Sequence, residues 1–232
     1  MLANLQASEW FQIVASSMWP MVKATLMYSI PLTLVSFFFG LVLALGVALI
    51  RISPVHGAGI RVARAIADLY VSAIRGTPLL VQLFIIFYGL PNVGITLNPV
   101  ISAVIGFSLS VGAYGSEIVR GALMSVPQGQ WEAGYSIGMS YTQALRRIVL
   151  PQALRVSVPP LSNAFIALFK DTSLASLVLV VELFRVAQEV ASRTYEFMLV
   201  YIQAALIYWA FCLVLTAIQS RLEKRLDRHM TA

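Results

Sequence analysis

The chain has 232 residues, of which 59% are hydrophobic and only 11% charged, against about 25% charged in an ordinary soluble domain. Most of it is therefore built for a solvent other than water. The net charge of +6 does not indicate nucleic acid, because Lys and Arg sit at the ends of apolar runs and not on a basic face interleaved with aromatics.

The first charge-free run, residues 24–50, exceeds the roughly 20 residues that cross a bilayer, and Pro31 near its outer end is tolerable there. Before it stand Trp10 and Trp19, fitting an interfacial belt; no basic leader precedes the first apolar run, so a cleaved signal peptide is not expected. Gly40, Ala44, Gly46 and Ala48 form a small-residue stripe suited to close helix packing. The next charge-free run, 76–116, is too long for one span, and "GLPNVGITLNP" at 89–99 divides it with turn residues. Spans two and three are therefore predicted at about 69–90 and 99–121. Span four is predicted at about 158–180, and span five at about 197–219 after the charged segment 182–196.

The expected fold is an all-α membrane protein of five transmembrane helices with short interfacial helices. Counting Lys and Arg sets its orientation. Arg51, Arg61, Arg64, Arg75, Arg120, Arg146, Arg147, Arg155, Arg221, Lys224, Arg225 and Arg228 flank one side; Lys23, Arg185 and Arg193 flank the other. The first set marks the cytoplasm, placing the N-terminus outside and the C-terminus inside. Cys212 is the single cysteine, and His56 and His229 are far apart, so neither a disulfide nor a His-based metal site is expected.

On this topology residues 122–151 are the largest cytoplasmic loop. Ser125 and Gln128 form a capping-box pattern with Pro127 in the first turn, predicting a helix over 126–137 that stops at Gly138. Ser140 and Gln143 repeat the pattern and predict a second helix to about Leu150, after which Pro151 interrupts the backbone hydrogen bonding. A mere connector needs two to eight residues, so a long capped loop reads as a docking element. The alternative is an amphipathic segment on the bilayer surface, with Arg146 and Arg147 on lipid phosphates.

Here the sequence resembles a family. Glu132-Ala133-Gly134, then Gly138, then Ile148, Leu150 and Pro151 match the E-A-A-x3-G-x9-I-x-L-P pattern of permease subunits in bacterial ATP-binding-cassette importers. Gly134 departs from it, where a second Ala is usual; this loosens an isolated helix by about 1 kcal/mol. "IRGTPLLVQLFIIFYGLP" (74–91), "AYGSEIVRGAL" (113–123), "LPQALRVSVPPLSN" (150–163) and "KDTSLAS" (170–176) resemble the polar amino-acid branch, handling cystine, arginine, histidine or glutamine, with a lean toward the cystine type. The resemblance implies a type I importer permease fold and a coupling helix in the 132–151 loop that docks on a separate ATPase subunit. It also implies a dimer with a second, identical or paralogous permease, and an extracytoplasmic binding protein. ATP and Mg would belong to the partner: this chain has no G-x-x-x-x-G-K-[ST] phosphate loop, is not expected to be an enzyme, and is expected to bind no cofactor.

Charges inside apolar runs cost roughly 2.5–3.5 kcal/mol each and are seldom idle. Lys170 and Asp171 fall about halfway along span four, and Glu117 and Arg120 are i, i+3 neighbours in span three. A zwitterionic amino acid needs donors for its carboxylate, which Lys170 and Arg120 supply, and acceptors for its ammonium, which Asp171 and Glu117 supply. Asn163, Thr172 and Ser173 add neutral hydrogen-bonding groups. The competing reading is a structural salt-bridge set between spans three and four. An ion-gradient-driven amino-acid transporter, with Glu117 and Asp171 as ion sites, is the alternative function; a membrane enzyme lacks a plausible nucleophile–base pair.

Overall fold

A computed structural model describes residues 2–227, with side chains from 8 to 225; Arg228 and His229 lie outside the described residues. Helices account for every regular element, and there is no strand among the described residues. The α-helices are α1 (Leu2–Ala24), α2 (Ile30–Ile52), α3 (Ala58–Gly76), α4 (Leu79–Phe84), α5 (Pro99–Met124), α6 (Gln128–Ser136), α7 (Tyr141–Ala144), α8 (Leu150–Asp171), α9 (Leu183–Thr194) and α10 (Phe197–Asp227). Three helical stretches, Ser8–Ile52, Pro99–Met124 and Phe197–Arg225, are long and apolar enough to cross a membrane; the number rises to five if two broken pairs each count as one span.

The element boundaries differ from the sequence expectation in informative ways. The helix around 24–50 extends back through α1, so the stretch Ser8–Ile52 is about 65–70 Å long, over twice the hydrocarbon thickness. The segment anticipated at 69–90 is not one helix. It breaks at Thr77, which is extended (φ −123°, ψ 147°) because the ring of Pro78 disfavours the helical region for the residue before it. Span four starts earlier than 158, at Leu150, and its α-helix ends at Asp171 before a 3-10 stretch over Thr172–Val178. Lys170 and Asp171 therefore stand at a helix end, not at mid-helix.

A common device accompanies three of the prolines, whereas Pro20, Pro159 and Pro160 stand inside helices without it. π-Helical turns occupy Thr25–Ser29, Ile85–Gly89 and Leu145–Val149, and Pro31, Pro91 and Pro151 each come two residues after such a turn. In each turn the wider i→i−5 bond appears: Ile30 N–H to Thr25 O, Leu90 N–H to Ile85 O, Leu150 N–H to Leu145 O. Proline lacks a donor and its ring clashes with the carbonyl four residues back; one π turn widens the helix at that point. Pro151 is accordingly part of α8 and does not end the helix, which corrects the expected interruption.

Two compact units divide the chain. One comprises the chain up to Ser36, Leu80–Gly106 and Ile166–Ala217. Its core is Met21, Leu183, Ala187, Ala191, Val200, Ala204 and Ile207. A buried polar clamp joins α1 to α10: Ser17 Oγ donates to Gln203 Oε1 (2.8 Å) and Gln203 Nε2 donates to Val14 O (2.9 Å). Such bonds replace the hydrophobic drive that lipid cannot supply.

The other unit comprises Phe37–Leu79, Phe107–Phe165 and the chain from Ile218 onward. In it Ala44 and Ala48 are fully buried, as the small-residue stripe anticipates. At Gly40 a Cβ would stand 2.5 Å from the Cβ of Val111, whereas at Gly46 it would meet nothing within 4 Å. The stripe thus works through Gly40, Ala44 and Ala48, and Gly46 takes no part. Gly40→Ala should lower the melting temperature of the purified protein, at an overpacking cost of about 1–3 kcal/mol. Gly46→Ala should leave it unchanged or raised, since helix propensity favours Ala by up to about 1 kcal/mol.

Candidate functional site: the 122–151 loop, an arginine cluster and an aromatic cavity

The loop is two short helices with defined ends. The anticipated Ser125–Gln128 capping box does not form: Ser125 belongs to the end of the preceding helix, with its N–H on Gly121 O and its Oγ on Ala122 O. α6 instead starts after Pro127, whose φ of −55° and ψ of 138° turn the chain into it. α6 closes with a Schellman motif. Met139 N–H reaches Gly134 O (3.1 Å), Gly138 N–H reaches Tyr135 O (2.9 Å), and Gly138 takes the left-handed conformation at φ 80°. The second capping box does form: Ser140 N–H donates to Gln143 Oε1 (2.9 Å) and Gln143 N–H donates to Ser140 Oγ (3.4 Å).

α6 is fastened to the chain on its C-terminal side. Trp131 stacks on Tyr141 with ring centroids 5.3 Å apart. Gly134 is buried, and a Cβ there would lie 3.0 Å from Ile148 Cδ1 and 3.3 Å from Ala144 Cβ. The departure from the usual alanine therefore matches a close approach between the two loop helices. Gln152 Nε2 donates to Gln130 Oε1 (3.1 Å). Beneath them Ala122, Leu123, Val126, Val149 and Ala153 form a core against which Trp131, Leu145, Ile148 and Leu150 pack. Glu132, Ala133 and Gly138 are exposed, as is Pro151. Glu132 makes no ion pair among the described residues and caps nothing; only its carbonyl is used, by Ser136 Oγ. Ile137 is also exposed, at 71%, so the loop leaves both a carboxylate and an apolar side chain free.

Glu117 and Arg120 do pair, with Arg120 Nη2 2.8 Å from Glu117 Oε2. Their further partners come from α2 and α3, which the sequence reading missed. Arg51 donates to Glu117 Oε1 and, through Nε, to Asp68 Oδ1 (2.7 Å); Arg75 Nη1 lies 3.7 Å from Glu117 Oε1. A single carboxylate thus gathers three guanidiniums, and its oxygens are occupied by protein. This favours the structural reading of Glu117 and Arg120, although the partners are Arg51, Asp68 and Arg75 and no residue of span four. In the sequence these arginines register only as charges at the ends of apolar runs. Asn163 is exposed, and its Oδ1 accepts from Gln219 Nε2 (2.9 Å).

Lys170, Asp171, Thr172 and Ser173 belong to the other unit. There a cavity of about 670 Å³ is lined by Lys170 and Ser173 together with Phe184, Tyr201, Tyr208 and Trp209. Lys170 makes no ion pair within 4 Å among the described residues and is the cavity's single charged group. Asp171 is half-buried and does not line it; Thr172 is fully buried, its hydroxyl donating to Phe169 O (2.7 Å). Of the seven residues anticipated around substrate, this cavity gathers Lys170 and Ser173. The aromatic lining was legible only as scattered apolar positions on α9 and α10.

Comparisons with known proteins bear on these features. Residues 58–228 match the family described as "Binding-protein-dependent transport system inner membrane component". The chain is 57% identical over 221 residues to the L-cystine transport system permease protein TcyB of Bacillus subtilis, covering 95% of this chain and 92% of that protein. It is 36% identical over 231 residues to the nopaline transport system permease protein NocM of Agrobacterium fabrum, covering 95% and 93%. Among solved structures, a chain from a crystal structure of an amino acid ABC transporter with histidines superposes with a TM-score of 0.79 at 30% identity, covering 95% of this chain and 97% of that one.

The arginine cluster yields a graded prediction. Arg51→Ala should destabilise the detergent-purified protein by about 1–3 kcal/mol, since it leaves two carboxylates short of a partner. Arg75→Ala, removing a half-exposed, longer contact, should cost under about 1 kcal/mol. Thermal denaturation of both variants checks the order.

Proposed function

The chain belongs to the family of inner-membrane components of binding-protein-dependent transport systems, and from that membership we propose that it is the membrane subunit of an ATP-driven importer for a polar amino acid, cystine first among them. The 57% identity to a cystine permease supports that choice of substrate. The partners this reading requires are a pair of cytoplasmic ATP-binding subunits, a second permease copy and an extracytoplasmic binding protein. ATP and Mg are handled by the ATP-binding subunits. The N-terminus is assigned to the outside and the C-terminus to the cytoplasm, on the distribution of Lys and Arg.

The observation that carries the proposal is the loop: two helices closed by their own caps and packed on their own core, yet leaving Glu132, Ile137 and Gly138 exposed. A bistable transporter needs a stiff element between the motor and the transmembrane helices. A pre-folded loop at the head of α8 has that property. It leaves one carboxylate and one apolar side chain exposed, which suits a partner surface offering both basic and apolar groups.

In the amino-acid path, Lys170 is proposed to hold the substrate carboxylate, with Ser173 alongside; Asp171, half-buried and outside the cavity lining, is left out of the contact set. Thr172 sits behind this turn, and Glu117, Arg120 and Asn163 are left with their protein partners.

Purification from the native host through a C-terminal tag tests the coupling assignment. A co-purifying ATP-binding subunit that is lost from Glu132→Ala or Ile137→Asp is the expected result; retention of the partner by both variants contradicts it. Cystine uptake into liposomes containing the whole assembly tests the substrate. It should require internal ATP, and Lys170→Gln should reduce it at least about tenfold while the subunits still co-purify. Uptake driven by an ion gradient without ATP would instead establish the gradient-driven mechanism.

A further inference from the structure

Glu182 carries the one carboxylate with no exposed surface among the described residues, and no cation offsets it within ion-pair distance. A carboxylate in that position is tolerable only if its oxygens are hydrogen-bonded. One is used as a helix cap: Oε1 accepts from Arg185 N–H (2.8 Å) at the start of α9. Capping alone does not call for glutamate, since Ser, Thr, Asp and Asn are the preferred N-caps. What glutamate adds is the second oxygen, and Oε2 accepts from the hydroxyl of Tyr208, 26 residues on, at 2.7 Å.

Tyr208 lines the Lys170 cavity. Its ring meets Phe169 edge-on at 5.7 Å. One buried acid thus ties the turn after Thr172–Val178, the first turn of α9 and one wall of the cavity. With the Tyr208 proton committed to Glu182, the cavity offers Lys170 as its single charge among the faces of Phe184, Tyr201 and Trp209. Such a lining suits a molecule whose carboxylate meets the ammonium and whose apolar or sulfur-bearing body lies against the rings.

We infer that Glu182 is a positioning residue for the transported amino acid: through its bond to Tyr208 it fixes one wall of the cavity that holds the substrate carboxylate site of Lys170. This rests on the assignment of the Lys170 turn to the substrate path. The two roles of Glu182 separate by substitution. Glu182→Ser keeps a capping oxygen but cannot reach Tyr208. Glu182→Gln keeps an acceptor for Tyr208 and weakens the cap. Tyr208→Phe removes the hydroxyl alone.

The experiment is equilibrium binding of radiolabelled cystine to the purified permease–ATPase complex, by scintillation proximity, with no binding protein present. Glu182→Ser and Tyr208→Phe should each raise Kd roughly tenfold, Glu182→Gln should stay within about threefold, and the Glu182→Ser/Tyr208→Phe pair should be no weaker than either alone. The inverse pattern, with Glu182→Gln impaired and Glu182→Ser and Tyr208→Phe unaffected, would reduce Glu182 to a helix cap and overturn the inference. Lys170→Gln tells the two readings apart. If it raises Kd while Tyr208→Phe does not, the cavity binds substrate but Glu182 does not position it. If it leaves Kd unchanged, the substrate assignment of the cavity fails and the inference falls with it.

Discussion

At Gly134 the two loop helices approach until no methyl group fits comfortably between them: an added Cβ would face Ile148 Cδ1 at 3.0 Å and Ala144 Cβ at 3.3 Å. Close packing of this kind passes displacement on instead of absorbing it. It explains why a residue poor in helix propensity stands in the middle of α6. The same approach brings Trp131 over Tyr141 and seats Ile148 on the core formed by Leu123, Val126 and Val149. The residues proposed to couple the loop to its partner divide accordingly. Gly134, Ile148 and Leu150 hold the loop together, while Glu132, Ala133 and Gly138 are available to a partner.

The body from which the loop projects is held by polar contacts as well as by packing. Glu117 draws Arg51, Arg75 and Arg120 to one carboxylate, and Asp68 takes the other side of Arg51. Tyr70 adds a bond from its hydroxyl to Leu109 O at 2.6 Å, and Gly112 leaves room for that hydroxyl. Helices in lipid gain little from hydrophobic association, so contacts of this kind carry much of the specificity. Charged residues near span ends thus join helices.

The sequence is legible where local chemistry decides the outcome. The all-α membrane architecture is set by uncharged runs; the stop at Gly138 and the box at Ser140–Gln143 are set by residue types that have few other uses at that spacing. It is less legible where neighbours compete. Ser125 has the right residue for a cap, yet the preceding helix takes its backbone and its hydroxyl. Pro151 carries the usual signal for a break, yet the π turn at Leu145–Val149 absorbs the ring. Glu182 and Tyr208 are distant in sequence and give no periodic signal, so a buried pair between them is visible only in three dimensions. Lys170 and Asp171, adjacent in sequence, separate once the helix geometry is known: one lines the cavity and the other does not.

A loop that works as a lever must be folded before any partner binds it. Amide hydrogen exchange across residues 128–149 of the permease alone, in detergent, measures this directly. Slow exchange is expected at the amides inside α6 and at Gly138, Met139 and Ala144, whose N–H groups are bonded within the loop, with the ATP-binding subunit adding protection mainly at the exposed residues. Rapid exchange throughout 128–149 in the free permease, becoming slow only with the partner present, would mean that the loop folds on docking, and would contradict the lever role.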